Sequence, residues 1–348
     1  MTTKKTILRY AGGKSRAIKQ ITPYVKDYET IVSPFLGGGS LEVHWAAMGK
    51  KVIAADVFDI LVNFWNVLLS NPDDLADELS KIVPTSEEYK VIKEALIHTP
   101  QVQNMLKDWK TDFYKRDAVG IDSVKLAAYY YFNHNTSYGP GFLGWPSKIY
   151  MKQKKWDKTI AKVRAFSSPN LSVVQQSFED TIKQNPKSFL YLDPPYYTEK
   201  DEDNKMLGGI YPMKNIPVHH NSFDHELLRD CLLQHEGDFV LSYNNCETIR
   251  DYYSDFEFVF PEWHYSMDIG EKRIGKNRKQ RTDDMMLTEQ ALLTSHIDQL
   301  EAFYTENLDK KIVFKNIKNA IASLKTIRHD IMKKESHEIL IVKRNKNG

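Results

Sequence analysis

Residues 29–56 read ETIVSPFLGGGSLEVHWAAMGKKVIAAD, and this stretch decides the fold. A short apolar run ends at three glycines, the next apolar positions recur at helical spacing, and a second apolar run closes on Asp56. The order strand, tight glycine turn, helix, strand is typical of a parallel α/β unit. In such folds, ligands bind at the carboxyl ends of the strands. We therefore expect a binding site beside the glycines and Asp56.

A second stretch places a polar group at another strand end. In SFLYLDPPYY, residues 188–197, the apolar run stops at Asp193-Pro194-Pro195, because proline has no N–H to donate to a neighbouring strand. Further strands are predicted at 238–243, 256–260 and 338–342. The sheet is therefore expected to be open and to draw strands from both halves of the chain.

Composition excludes several classes of protein. The 348 residues include 48 Lys and Arg, 46 Asp and Glu and 41% hydrophobic residues, which excludes a disordered chain, and the net charge of +2 does not by itself indicate a nucleic-acid partner. Cys231 and Cys246 form no Cys-x-x-Cys pair, so neither a disulfide scaffold nor a zinc module is expected. No apolar run has signal-peptide length or approaches the roughly 20 residues that cross a bilayer, so we expect a soluble, cytoplasmic protein without a metal.

The Asp193-Pro194-Pro195-Tyr196 segment suits chemistry on an aromatic amine. The lone pair of such an amine is delocalised into the ring, and hydrogen bonds to a carboxylate and a backbone carbonyl would draw it out of conjugation. Asp193 and the Pro194 carbonyl can accept those bonds, and Tyr196 offers a flat face on which a base can stack. The alternative is a turn that ends a strand with an aspartate at the surface.

The glycine loop and the N-terminal segment have more than one interpretation. The loop at Gly37-Gly38-Gly39 suits an adenosine whose ribose hydroxyls bind Asp56, but it would also serve a dinucleotide, or it is only a tight turn. In RYAGGKSR, residues 9–16, the glycines lack the spacing of a phosphate-binding loop. Tyr10 and Lys14 are therefore interpreted as an aromatic ring and a cation for a second edge of the ligand.

Three motifs in this order resemble the Dam-like (alpha group) adenine-N6-specific DNA methyltransferase family. They are RYAGGKSR at 9–16, PFLGGGS at 34–40 with AAD at 54–56, and YLDPPYY at 191–197; VLSYNN at 240–245 and EILIVKR at 338–344 are similar to the family's late strands. The resemblance implies an α/β fold: a Rossmann-like S-adenosylmethionine-dependent methyltransferase sheet with a mainly helical inserted target-recognition domain and a helical C-terminal insertion. It implies methyl transfer from S-adenosylmethionine to N6 of a flipped adenine in duplex DNA, in a bacterial, phage or viral nucleic-acid compartment. A cognate restriction endonuclease is a further partner that the resemblance allows.

The resemblance also implies roles for individual residues. The catalytic segment would be Asp193, Pro194, Pro195 and Tyr196. The cofactor would contact Tyr10, Lys14, Phe35, Gly37, Gly39, Asp56, Phe178 and Asp193.

The domain organisation follows from the same likeness. Residues 1–57 and 166–271 would form the two parts of the catalytic domain, 58–165 the inserted, mainly helical DNA target-recognition domain, 272–336 a basic and helical extension, and 337–348 the final catalytic-domain strand and tail. In the inserted part, FNHNTSYGPGF at 132–142 departs from the family, which usually has an Asn-Arg pair and an aromatic-Asn-Gly loop there.

Candidate DNA contacts lie in three segments. For base reading we favour the loop from Asn133 to Ser147, with the polar and aromatic groups of Asn133, Asn135, Ser137 and Tyr138 on a flexible turn. The basic runs at 148–164 and 272–281 are expected to contact phosphates, through Lys148, Lys152, Lys154, Lys155, Arg273, Lys276 and Arg278. Otherwise each basic run is only a solvated face.

Other functions stay open. A cytosine-N4 or RNA-directed methyltransferase could use a similar Asp-Pro-Pro-Tyr strand end, and a non-catalytic homologue could bind DNA without turnover. A nicotinamide-dependent dehydrogenase could use the glycine turn, but it leaves the Asp-Pro-Pro-Tyr segment and the N-terminal lysine segment unexplained.

Overall fold

The strand-helix-strand unit predicted at 29–56 lies inside a mixed sheet. This computed structural model describes residues 4–106, 119–138, 141–197, 223–261 and 338–344. Its strands are β1 (Thr30–Ser33), β2 (Lys51–Asp56), β3 (Leu171–Gln175), β4 (Phe189–Leu192), β5 (Phe239–Asn244), β6 (Glu257–Val259) and β7 (Glu338–Lys343). Over the described ranges they form one seven-stranded sheet in the order β3-β2-β1-β4-β5-β7-β6. A mixed α/β fold is thus confirmed.

The direction of the strands determines which strand ends meet. β1 to β5 run parallel to one another, and β7 runs antiparallel to both β5 and β6. All four residues of β4 are buried, and the strand is paired on both sides, with β1 and with β5. The carboxyl ends of β1, β4 and β5 therefore share one edge of the sheet, and the amino end of β7 meets them there.

Helices cover the sheet and fill the segment between β2 and β3. In chain order the described helices are α1 (Ile18–Ile21), α2 (Ser40–Ala47), α3 (Asp59–Ser70), α4 (Pro72–Ser80), α5 (Ser86–Ile97), α6 (Pro100–Leu106), α7 (Ser123–Thr136), α8 (Gln153–Arg164), α9 (Phe178–Gln184), α10 (His225–Gln234) and α11 (Glu247–Tyr252). Several begin at a side-chain cap: the Asp122 carboxylate accepts the Lys125 N–H at 2.9 Å ahead of α7, and the Ser177 hydroxyl accepts the Asp180 N–H at 3.0 Å ahead of α9. Among the helices that the structure describes, none has both the length and the apolar character that a membrane span requires.

The predicted strands occur, but one strand was not predicted. β5, β6 and β7 lie within one or two residues of the predictions at 238–243, 256–260 and 338–342. β3 is missing from the sequence analysis. It is one of the two edge strands, and its LSVVQ sequence has exposed polar residues at Ser172 and Gln175. It therefore lacks the continuous apolar run that marks the inner strands.

Aromatic packing joins the helical segment to the sheet. The rings of Phe64 on α3 and Tyr131 on α7 stack at 5.2 Å with an interplanar angle of 8°. The neighbouring Trp65 is fully buried, and its indole N–H donates to the Gly37 carbonyl at 3.1 Å. The helical segment therefore contacts the glycine loop directly, through the hydrogen bond from Trp65 to Gly37.

Candidate active site

The Asp193 segment leaves the middle of the sheet at its carboxyl edge. β4 ends at Leu192 with β1 and β5 on either side, and Asp193-Pro194-Pro195-Tyr196 follows at once. Asn244, the last residue of β5, fixes this segment, because its side-chain amide accepts the Tyr197 N–H at 2.9 Å and donates to the Tyr197 carbonyl at 3.0 Å. The loop is thereby anchored next to the end of β1, where the glycine loop begins.

Lys14 lies against this segment instead of pointing into solvent. Its ammonium donates to Asp193 Oδ1 at 2.7 Å, to the Tyr196 hydroxyl at 3.0 Å and to the Gly12 carbonyl at 3.3 Å. Only 4% of the Lys14 side chain is exposed, against 22% for Asp193. Lys14 therefore orients the Asp193 carboxylate, while Asp193 keeps part of its surface exposed.

Glu338, the first residue of β7, completes this cluster. Its carboxylate accepts a hydrogen bond from the Tyr196 hydroxyl, and its Oε1 lies 3.6 Å from the Lys14 ammonium. Glu338 was not predicted as a site residue, because it lies 142 residues from Tyr196 along the chain. The EILIV sequence at 338–342 indicates only a buried strand, and nothing in it shows that the side chain of Glu338 contacts a site.

Burial dominates the electrostatics of these acids. Burial raises the pKa of Asp193, although the Lys14 ammonium partly offsets that rise. The pKa of Glu338 is raised to about 7, again by burial and against the pull of Lys14. On α2, burial also raises the pKa of Glu42 to about 7, while a 2.7 Å hydrogen bond from the Ser33 hydroxyl lowers it. Asp193 and Glu338 thus share the stabilising charge of one ammonium, and the pKa of about 7 places the protonation of Glu338 near neutral pH.

The glycine loop has no room for side chains. Gly37 and Gly39 have φ of 48° and 61°, a conformation that disfavours residues with a Cβ. A Cβ at Gly39 would lie 2.6 Å from Trp65 Cζ2, and one at Gly38 would lie 2.4 Å from the Cβ of Tyr10. The loop is therefore held between the Tyr10 and Trp65 side chains, which pack against its backbone where larger residues would leave no room for them.

Asp56 stands at the end of β2 beside this loop. Its Oδ2 accepts the Gly37 N–H at 3.0 Å, and its Oδ1 accepts the Phe58 N–H at 3.0 Å. Because an ionised carboxylate can accept about four hydrogen bonds, Asp56 can hold the loop and bind the hydroxyls of a ligand at the same time.

Three phenylalanines line the neighbouring part of the edge. The Phe35 and Phe178 rings stack with centroids 5.6 Å apart, and the Phe223 ring lies 5.7 Å from Phe35 and 5.3 Å from Phe178. All three are only partly buried. The structure thus brings Phe35 and Phe178 together as the cofactor prediction requires, and it adds Phe223, which no motif indicated.

Tyr10 is tied to the helical segment on its other side. Its ring stacks on His134 of α7 at 5.3 Å and 14°, and burial lowers the pKa of His134 to about 3, so that this ring is neutral. The adjacent Arg9 donates its backbone N–H to Asn135 Oδ1 at 3.0 Å and its guanidinium to the Asn135 carbonyl at 2.6 Å. The N-terminal motif is thereby fixed in place between α7 and the glycine loop.

Three of the predicted base-reading side chains are buried, which corrects their assignment to a flexible turn. Asn133 and Asn135 lie in the last turns of α7, and Ser137 caps its end. Asn133 Oδ1 accepts the Leu143 N–H at 2.7 Å, and the Ser137 hydroxyl accepts the Gly141 N–H at 3.1 Å. These polar groups therefore hydrogen-bond to the backbone of the loop after α7. Because glycine and proline recur at 139–144, the sequence predicted a turn already at Asn133, whereas the helix continues to Thr136.

Tyr138 and Trp145 are the exposed aromatic residues of that loop. Their side chains are 63% and 73% exposed, and the Tyr138 N–H donates to the Trp145 carbonyl at 2.6 Å. Ser137 and Pro146 form an antiparallel bridge beneath them. Tyr138 was predicted as a DNA contact, whereas Trp145 was not, although an indole beside glycine and proline breakers is a recognisable signal. The two exposed rings therefore lie on backbone segments that are joined by the Tyr138–Trp145 hydrogen bond and the Ser137–Pro146 bridge.

The predicted basic contacts fall into two groups. Lys148, Lys152, Lys154 and Lys155 are all exposed, at and before the start of α8. Lys93 on α5 adds a cation 5.5 Å from the centre of the Trp145 ring. The predicted contacts Arg273, Lys276 and Arg278 lie outside the described residues.

Comparison with known proteins connects this geometry to a family. Residues 10–267 match the family model of the D12 class N6 adenine-specific DNA methyltransferases. The chain is 26% identical over 208 residues to the type II methyltransferase M.MjaIII of Methanocaldococcus jannaschii, covering 55% of this chain and 69% of that protein. It is 26% identical over 251 residues to the type II methyltransferase M.FokI of Planomicrobium okeanokoites, covering 67% of this chain and 36% of the relative. A DNA adenine methylase of Vibrio cholerae is 27% identical over 92 residues, which are 26% of this chain and 32% of the methylase.

The matched region includes the N-terminal lysine segment from Tyr10, the glycine loop and the Asp-Pro-Pro-Tyr segment. It also covers most of the chain. The chain therefore belongs to the D12 class of N6 adenine-specific DNA methyltransferases, a family that requires a methyl donor and acts on DNA.

Proposed function

We propose that this protein transfers the methyl group of S-adenosylmethionine to N6 of an adenine flipped out of duplex DNA. The observation that carries the proposal is the position of Asp193. Its carboxylate directly follows the central strand β4 at the carboxyl edge of the sheet, where the glycine loop also lies, and the Lys14 ammonium contacts it at 2.7 Å.

The residues around the loop fit an adenosyl cofactor. Asp56 would bind the ribose hydroxyls, the Gly37 and Gly39 backbone would border the methionine part, and Phe35 and Phe178 would enclose the adenine ring. Tyr10 would cover the loop from its packed position over Gly38. When bound, S-adenosylmethionine supplies a methyl group that is already activated by the positive charge on its sulfur.

The chain's own groups would prepare the nucleophile. Asp193 and the Pro194 carbonyl would each accept a hydrogen bond from the exocyclic amine, which draws its lone pair out of the ring. Tyr196 would stack on the base, and its ring is fixed because its hydroxyl is bonded to both Lys14 and Glu338. Holding the amine in line with the methyl group then accounts for much of the acceleration.

Such a site requires the adenine to leave the DNA stack. Extrusion costs a few kcal/mol, and stacking on an aromatic side chain returns about 1 to 3 kcal/mol. We extend the proposal to the exposed rings of Tyr138 and Trp145, which would contact the bases that the adenine leaves behind. The exposed lysines from Lys148 to Lys155 would contact the flanking phosphates.

Tyr138→Ala and Trp145→Ala are each expected to weaken duplex binding by about 5- to 150-fold, which corresponds to the 1 to 3 kcal/mol of one stacking contact. Fluorescence anisotropy at one fixed salt concentration measures this loss. Phe260→Ala is the matched control, because Phe260 is another exposed aromatic residue, 56% exposed and just after β6. Equal affinities for all three variants would contradict a role of this loop in binding DNA.

The reaction itself is tested with isotope-labelled S-adenosylmethionine and duplex DNA, followed by digestion to nucleosides. We expect label in N6-methyl-2′-deoxyadenosine from the DNA. Label in N4-methylcytosine, label only with RNA substrates, or binding without transfer would each replace the proposal by one of the alternatives.

The names of the two type II relatives motivate a restriction-modification setting for this chain. In that setting a partner endonuclease would recognise the same sequence. DNA methylated by the protein should then resist cleavage by a nuclease of that specificity, and unchanged cleavage of fully methylated DNA would argue against the pairing.

A further inference from the structure

Glu338 reaches the active site because of the direction of β7. In register, Glu338 is paired with Asn244, the last residue of β5. Because β7 runs opposite to β5, its first residue lies at the edge where the parallel strands end. The same edge carries Asp193 and Tyr196, so that a residue far along the chain joins the catalytic segment.

Glu338 is a buried acid that contacts residues of the candidate active site. Its side chain is 5% exposed, and a buried carboxylate is costly unless it is paired and hydrogen-bonded. Glu338 makes two contacts with the active site. The Tyr196 hydroxyl donates a hydrogen bond to its carboxylate, and the Lys14 ammonium lies 3.6 Å from its Oε1. A residue needed only to extend the sheet would not require a carboxylate at this position.

We propose that Glu338 is a positioning residue for methyl transfer, which shares the charge of Lys14 with Asp193 and fixes the hydroxyl of Tyr196. This inference rests on the proposed function. It assigns to the last strand a role in the chemistry that the Asp-Pro-Pro-Tyr segment alone does not explain.

Lys14 lies close to the carboxylates of both Asp193 and Glu338, so the charge of Glu338 affects how strongly Lys14 binds Asp193. With Glu338 ionised, one ammonium serves two carboxylates, and Asp193 remains a strong acceptor for the hydrogens of the target amine. With Glu338 neutral, Lys14 pairs with Asp193 alone and competes with the amine for the same oxygen. The groups acting on Glu338 come from separate elements: Lys14 from the N-terminal segment, and Asp193 and Tyr196 from the loop after β4. Glu42 on α2 adds a further acid next to Asp193.

Glu338→Gln is the decisive variant. It keeps the size of the side chain and an oxygen acceptor for Tyr196, but it removes the charge. We expect kcat to fall by about 10- to 100-fold, the loss typical of a mispositioned reacting group, with the KM values for DNA and cofactor changed by less than about threefold. Glu257→Gln, which neutralises an exposed carboxylate on the neighbouring β6, is the matched control and should leave all three constants unchanged.

The pH dependence separates positioning from a merely structural role. Because the pKa of Glu338 is raised to about 7, the wild-type protein should lose the contribution of Glu338 as pH falls from 8 to 6. The ratio of wild-type to Glu338→Gln kcat should therefore shrink over that range. A ratio that is constant with pH, or a variant with wild-type kcat, would overturn the inference.

Two further measurements keep the inference testable. Tyr196→Phe removes the hydroxyl that links Glu338 to the loop, so its loss in kcat and that of Glu338→Gln should be less than additive in the double variant. Without substrates, the resonance of the Lys14 ammonium group should shift between pH 6 and 8 in the wild type but not in Glu338→Gln. If the wild type makes no N6-methyl-2′-deoxyadenosine, the proposed function fails. A pH-independent Lys14 resonance in the wild type instead overturns the role of Glu338.

Discussion

Asp193→Ala should reduce methyl transfer by about 10²- to 10⁴-fold while DNA affinity stays within a few fold of the wild type. The lost carboxylate is the group that accepts the hydrogen bond from the target amine, and general acid-base groups of this kind contribute rate factors of about that size. Affinity should persist because the exposed aromatic and basic residues that we assign to DNA binding lie on α8 and the loop before it. Single-turnover methylation and anisotropy titration measure the two quantities separately.

Asp193→Asn provides the closer comparison. It retains the shape of the side chain and one oxygen acceptor, but it removes the charge that pairs with Lys14 at 2.7 Å. We expect a loss between the wild type and Asp193→Ala. Near-normal turnover in Asp193→Ala would eliminate the proposed mechanism, whereas a parallel collapse of DNA binding would show that the substitution disturbs more than the chemistry.

Gly39→Ala should lower the free energy of unfolding by about 2 to 5 kcal/mol and strongly weaken cofactor binding. About 1 to 2 kcal/mol comes from placing a Cβ on a left-handed residue, and about 1 to 3 kcal/mol comes from overpacking. The new Cβ would lie 2.6 Å from Trp65, whose indole also bonds to the Gly37 carbonyl. Urea denaturation and calorimetric titration with S-adenosylmethionine measure the two effects.

Gly49→Ala isolates the backbone part of this effect, so that its difference from Gly39→Ala gives the steric part. Gly49 also has a positive φ, 91°, but no heavy atom lies within 4 Å of the position that its Cβ would take. It should therefore show only the backbone penalty and bind cofactor normally. Equal destabilisation by the two substitutions would mean that contact with Trp65 does not constrain the loop.

The parts of this site that were predictable are those encoded by consecutive residues. The run of apolar residues ending at Asp193, and the run followed by Gly37 to Gly39, each carry the strand, its end and the polar group in one short stretch. Such stretches identify the parallel unit and the edge where its ligands bind. The same logic located Asp56 beside the loop, whereas Phe35 was indicated only by the resemblance to the family.

The parts that were not predictable depend on long-range geometry. Whether Lys14 contacts a ligand or Asp193 is decided by the packing of the N-terminal segment on the sheet, and Glu338 joins them only because one strand is reversed. The polarity of Asn133 was evident from its residue type, but its burial was not. A helix can bury an asparagine when the following loop offers a backbone N–H, here that of Leu143, and that pairing is invisible in the local pattern.

The reversed last strand also has a consequence for biosynthesis. During translation, Lys14 and Asp193 leave the ribosome long before Glu338, so a nascent chain has the cation and the catalytic acid but lacks the second carboxylate and the strand that lies between β5 and β6. Premature termination anywhere before residue 338 would therefore yield a product with an incomplete charge cluster. Such a product would also lack β7, which joins β6 to the rest of the sheet, so its sheet would end at β5.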